Sequence, residues 1–379
     1  MWWNFAIVLV TLALAPERLP ASDAADDSSL IVFLSAQGSQ RFNADMPRGP
    51  VQGEGVADTL YTYSRGALRI LSEVEVSTDD AELDRLQVGW ELVPDTLVWL
   101  GKFHEPASPW SFGHDHGHYL QTAISIPSIE TWDDNGGVLP ENVTGVLFDS
   151  RRPTGTKGGI EVSFALGTAP NPVPEPDASY WVPTISTGTH RAGLSARFAL
   201  LPDYSSTNSF GLVAARHRLD TRALDVVGHV IDEYFFTQQV QPLFDARAVN
   251  QVLYGAYADG DWGNYSLHAT AYYVDLSMEE ARRPRTESFI AGYVQLERRF
   301  AERYTLYGRH ENASRAQEST YLYAIQGPFV VRRNLAGSRW DFARHQAITL
   351  ELERTTTLTS RYSGIGLQWS AVVETRGTY

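Results

Sequence analysis

The 379-residue chain has no cysteine, three methionines and only two lysines, Lys102 and Lys157. Each shortage excludes something. Without cysteine there is no disulfide framework of the kind that staples small secreted domains, and no thiol nucleophile or haem-attachment motif. Arginine supplies almost all the positive charge, and a formal net charge of −14 gives no support to nucleic-acid binding. No Gly-x-Ser-x-Gly elbow and no phosphate-binding Gly-x-x-x-x-Gly-Lys loop occurs. The sequence therefore points away from an enzyme, although His268 and His310 in apparent strands are the residues a dispersed catalytic site would use. No long hydrophobic run reaches the roughly 18–20 residues a spanning helix needs. Phe5–Ala15 is apolar but too short, and small residues follow it up to Ala24. Residues 1–24 are expected to be an export signal, in spite of the missing basic residue before the apolar run.

What the chain does have is alternation. In Gln368–Tyr379, Trp369, Ala371, Val373 and Tyr379 share one phase, and Gln368, Ser370, Glu374 and Arg376 share the other. Side chains of a strand point alternately to opposite faces, so this segment has one apolar and one polar side and ends on an aromatic. Hairpin patterns recur: Arg85–Phe103 around Val93-Pro94-Asp95, Asn250–Asp275 around Asp259-Gly260-Asp261, and Ser288–Glu311 around Ala301-Glu302. Leu60–Ser77 and Ala223–Tyr234 are further strand candidates. Some connections are tight turns, whereas His104–Val143 and the proline-rich Gly167–Gly188 are long.

Short turns on one rim and long loops on the other suit an all-β fold, a transmembrane antiparallel β-barrel of about 16 strands (14–18) occupying residues 25–379. A soluble secreted β-sandwich binding protein is the alternative, since its strands alternate equally well. In the barrel, the period-2 pattern assigns Leu86, Val88, Trp90, Leu97, Trp99 and Phe103 to lipid. Arg85, Gln87, Glu91, Lys102 and His104 are assigned to the pore lining.

Residues 67–149 carry a more specific signal. Ala67–Val76 and Leu97-Val98-Trp99-Leu100-Gly101-Lys102-Phe103-His104-Glu105-Pro106 are followed by Ile124–Ile129 and Val143-Thr144-Gly145-Val146. This segment resembles the outer-membrane porins related to the phosphate-selective porins O and P. In those proteins a strand ending Gly-Lys/Arg-Phe, two residues before a proline, opens a long loop, and a Thr-Gly strand follows. The resemblance implies a bacterial outer-membrane channel for small solutes or ions, inserted by barrel-assembly machinery into lipid and often trimeric. It does not carry phosphate selectivity over, because the family's basic motif supplies only Lys102 and the chain is acidic. A pore that weakly prefers cations is expected instead, with the 104–142 loop folded inward to narrow it.

His104, His114, His116 and His118 place four of the ten histidines in one short stretch. Three alternate, so an extended backbone would aim their imidazoles the same way, as a divalent-metal site or a filter charging below about pH 6.5 would require. A metal-handling or partner-binding barrel is the reading this cluster offers. Hydrogen bonds from these imidazoles to wall carboxylates are the plainer one, and no other cofactor is expected.

Overall fold

The computed structural model describes residues 27–43, 50–78, 81–114, 117–130, 138–140, 142–168, 193–220, 246–280, 285–325 and 329–378. Sixteen antiparallel strands form one closed sheet in which every strand pairs with its neighbours in sequence and the last pairs with the first. They are β1 (Asp27–Phe42), β2 (Val51–Arg65), β3 (Leu68–Ser77), β4 (Ala81–Val93), β5 (Thr96–His104), β6 (Asn142–Thr154), β7 (Gly158–Thr168) and β8 (Gly193–Leu201). The second half comprises β9 (Ser209–Asp220), β10 (Ala246–Trp262), β11 (Tyr265–Glu280), β12 (Arg285–Phe300), β13 (Tyr304–Ser314), β14 (Val330–Ala343), β15 (Gln346–Thr357) and β16 (Arg361–Thr378). Among the described residues, two short α-helices, α1 (Pro109–His114) and α2 (Thr320–Ile325), sit in connections. A single closed sheet is not a sandwich of two, so the soluble alternative is discarded.

The two faces differ in chemistry. On β8, Leu194, Phe198 and Leu200 are exposed on the outside, while Ser195, Arg197 and Ala199 are buried on the inside. The outer surface repeats this pattern with Val88, Leu100, Leu166, Leu212, Val294, Leu306, Leu352 and Leu367. Such a continuous apolar exterior is stable only against lipid. At the rim of short turns it ends in aromatics. Trp262 pairs with Tyr265, Phe300 with Tyr304, and Tyr304 with Trp340, the last two rings stacked at 6.1 Å. That is the interfacial girdle of a spanning barrel.

Several sequence-based boundaries are corrected. Leu60–Ser77 is two strands, joined at Gly66-Ala67, where Gly66 takes φ +56°. The β10–β11 turn lies at Gly263-Asn264, not at Asp259-Gly260-Asp261, because Gly263 supplies the left-handed φ of +64° and Trp262 pairs with Tyr265. Asp259 is thus a strand residue opposite His268. In β5 the expected faces are inverted. Trp99 opposes Gly89 and Leu97 opposes Glu91, both on the inward phase, so Leu97, Trp99 and Phe103 point into the barrel and Val98 and Leu100 point out. The register shift between Glu91 and Val93 inserts an extra residue beside the Pro94-Asp95 turn, and a one-residue shift exchanges the faces. Residues 1–24, Ala223–Tyr234 and Tyr379 lie outside the described residues.

With no native cysteine, single cysteines report these faces directly. In liposomes, Glu54→Cys is expected to react with a water-soluble maleimide and Leu100→Cys to react only after detergent is added. The opposite pattern would invert the sheet.

Candidate functional site: the barrel interior

The described part of the connection between β5 and β6 runs inside the barrel and is tied to the wall at several points. Trp99, Phe103, Val143 and Leu147 form an inward apolar patch that receives Phe112 of α1. The Arg197 guanidinium lies 4.2 Å above the Phe112 ring, close enough for a cation–π contact. Trp110 of the same helix packs edge-on to Tyr293 of β12. Among the described residues beyond α1 the backbone makes turn bonds, Leu120 N–H to Gly117 O and Glu130 N–H to Pro127 O, and wall side chains satisfy further polar groups. Arg339 donates to the carbonyls of Tyr119 (2.6 Å) and Gln121 (2.7 Å), and Arg309 and Arg333 both donate to that of Ile126. Glu351 accepts from the Ile124 amide and the Ser125 hydroxyl, and Gln251 donates to Val138 O at 2.7 Å.

Glu311 is the densest knot. It accepts from Arg309 Nε (2.9 Å), Arg333 Nη2 (3.2 Å) and both the amide and hydroxyl of Ser128, and Arg333 Nε lies within ion-pair distance at 2.7 Å. Removing one partner of so buried a pair typically costs about 3–5 kcal/mol, because the other charge stays behind unpaired. Arginines elsewhere on the wall are similarly engaged: Arg85 with Glu73, Arg197 with Glu161, Arg339 with Asp341.

The segment packs against much of the wall, and an open space remains between its residues 117–126 and β1–β4, β15 and β16. A cavity of 1190 Å³ there is bordered by the carboxyl groups of Glu54, Asp58, Glu75, Glu82, Asp84, Glu351 and Glu353, but only by the guanidiniums of Arg41 and Arg333. Asp84 enters this set through a bulge. The β3–β4 register passes from Glu73–Arg85 to Val74–Leu83, leaving Asp84 as the extra residue.

The five residues assigned to the pore lining are placed as follows. Arg85, Gln87 and Glu91 occupy the inward phase of β4, with Glu91 bonded to Arg69. His104 is buried near Glu73, 3.8 Å from its carboxylate. Lys102 pairs with outward Leu86, and its ammonium is held by Glu82 Oε1 (3.0 Å) and Leu83 O (2.7 Å). None of the five borders the cavity. Its acidic border was missed because the β2 carboxylates sit outside any motif and the bulge has no local signature.

The histidines do not converge. His104 faces Glu73, His118 Nδ1 lies 2.8 Å from Ser35 Oγ on β1, and His114 reaches Asp259 on β10. His116 lies outside the described residues. The three described histidines take separate partners, and His114 ends the short helix α1 where an extended backbone was expected. Burial also lowers the His118 pKa.

One buried acid of the inner segment has a marked shift. Glu130 accepts from Tyr272 (2.7 Å) and Ser108 (2.6 Å), and burial pushes its carboxyl up to about 7. Tyr293 and Glu105 add to its surroundings; Glu105 in turn faces His217 at 3.4 Å. A raised acid pKa stabilises the fold fully below its ordinary value of 4.5, and that stability is lost as pH rises through about 7. The full difference is on the order of 3 kcal/mol. The melting temperature of the detergent-solubilised barrel should therefore fall between pH 5 and pH 8 and flatten in Glu130→Gln. An unchanged pH profile in that variant would remove Glu130 as the cause.

No protein-family model matches the chain, and no curated protein matches it in sequence. Its fold, however, is similar to solved outer-membrane proteins. The outer-membrane channel DcaP of Acinetobacter baumannii superposes with a TM-score of 0.56 at 11% identity, over 93% of this chain and 99% of that one. Salmonella typhi OmpF, solved with daunomycin, gives 0.56 at 12% identity over 91% and 97%. OmpT of Vibrio cholerae in its trimer form gives 0.53 at 11% identity over 91% and 99%. The fold is thus a closed 16-strand antiparallel barrel similar to those of these outer-membrane proteins.

Proposed function

We propose that this chain is an outer-membrane channel through which small hydrophilic solutes and ions diffuse passively, with a preference for cations. The observation that carries the reading is the 1190 Å³ cavity inside the closed barrel, bordered by seven carboxyl groups and two guanidiniums. A water-filled passage lined by one sign of charge concentrates the opposite ion. The apolar exterior, the aromatic rim and the likeness to DcaP and OmpF support the membrane setting. No covalent chemistry is needed: the wall and inner segment set size and charge, and the solute moves down its gradient.

Kinship with porins O and P rests on the Ala67–Asp149 segment alone. Its one basic motif residue, Lys102, is engaged by Glu82 rather than turned to the cavity, so an anion such as phosphate is not the proposed solute. A homotrimer is the proposed assembly, supported by the trimer form of the Vibrio cholerae neighbour. Outer-membrane lipid and the assembly machinery are the proposed partners.

Reversal potentials across planar bilayers in a potassium chloride gradient test the charge assignment. The chain is expected to pass potassium in preference to chloride near 0.1 M salt. Combined Glu54→Gln, Glu75→Gln and Glu353→Gln should cut the permeability ratio several-fold. Both effects should shrink near 1 M, where the Debye length falls from about 10 Å to about 3 Å. Anion selectivity of the unaltered chain would show that the arginines govern the narrowest water.

A further inference from the structure

Asp259, which the sequence pattern assigns to a turn, lies on the inner wall between two imidazoles. Its Oδ2 meets Nε2 of His114 from α1, and its Oδ1 lies 2.9 Å from Nδ1 of His268, directly across the β10–β11 pair. One ligand atom from each of the three groups fits within a 4.8 Å span, and all three side chains keep partial access to the interior. Two imidazole nitrogens and one carboxylate oxygen, with a position left for water, form the donor set that borderline divalent ions such as zinc, cobalt or nickel take.

The surroundings are built as metal sites are. A ligating histidine usually donates its second ring N–H to a carboxylate, which fixes the tautomer. His268 has that partner: its Nε2 lies 3.5 Å from Glu297 Oε1. A metal on Nδ1 leaves the proton of the neutral ring on Nε2, facing Glu297, so both nitrogens are satisfied. The indole of Trp110 packs against both rings, at 5.1 Å from His114 and 6.0 Å from His268, and limits their rotation. Tetrahedral coordination with bonds of about 2.0–2.2 Å sets ligand atoms roughly 3.4 Å apart, inside the span these three groups already occupy.

We infer that His114, Asp259 and His268 form a binding site for a single divalent transition-metal ion, which clamps the inner segment at α1 to β10 and β11. The site joins a connection to the wall, so metal would order α1 without blocking the cavity, which other strands border. Binding stands apart from transport: it requires the folded barrel but not the passage of any solute.

Titration of the untagged, detergent-solubilised barrel with zinc chloride in a calorimeter decides the matter. One equivalent per chain is expected. His114→Ala and His268→Ala should each weaken binding at least tenfold, and Glu297→Gln by about tenfold through orientation of His268 alone. His310→Ala, altering a strand histidine bonded to Asn334 elsewhere, should leave affinity unchanged. Heat-modified migration on gels confirms that each variant is a folded barrel. Cobalt in place of zinc should give the intense visible bands of a four-coordinate site. Absence of saturable binding, or equal binding by the His114 and His268 variants and the parent, would overturn the assignment. Should both alanine variants fail to fold, loss of the cobalt bands in Asp259→Asn decides in favour, and their persistence against.

Discussion

Everything inside this protein depends on the seam where β1 meets β16. Pairing runs from Asp27–Thr378 to Phe42–Ser363 without a register break. In a bilayer an unpaired backbone group costs several kcal/mol, so an open sheet edge is not tolerated and closure is the condition for insertion. Once the sheet is closed, each strand has one face committed to hydrocarbon and one enclosed face with its own requirements. The alternation in β8 is the local form of that division.

The enclosed face is occupied unevenly, and electrostatics accounts for it. Irregular backbone within a barrel must find donors and acceptors on the wall. Residues 119–128 find Arg309, Arg333 and Arg339 as donors and Glu311 and Glu351 as acceptors, all on β13–β15. Those arginines are consumed in holding the segment and in pairing with one another's carboxylates. Carboxyl groups outnumber guanidiniums around the cavity that the segment shares with β1–β4, β15 and β16. The proposed cation preference is thus a by-product of how the inner segment is anchored, as well as of the overall charge of −14.

Much of the architecture was legible. In the last strand Trp369 and Val373 alternate with Gln368 and Ser370, and the structure exposes the first pair and buries the second, while Ala371 of the apolar phase is also buried. Strand number follows from many such patterns. What failed was phase and turn position. Leu97, Trp99 and Phe103 are apolar yet face inward, because the interior carries its own hydrophobic patch for Phe112; apolarity alone does not say which apolar surroundings a residue meets. Asp259-Gly260-Asp261 has turn chemistry, but Gly263 four residues after Asp259 offers a better left-handed position and the aromatic pair Trp262–Tyr265 closes on it. That displacement hid the opposition of Asp259 and His268. Convergence of His114 with them requires knowing that α1 crosses the barrel, which is a property of tertiary contacts and leaves no spacing to read.

The most direct measurement is single-channel conductance of Glu75→Cys before and after reaction with a bulky, uncharged thiol reagent. Glu75, on β3, borders the cavity inside the barrel. If that cavity is the water path, the unmodified channel opens in discrete current steps and modification reduces each step without abolishing insertion. An inserted barrel that conducts equally well before and after complete modification, or that passes no current at all, would contradict this path.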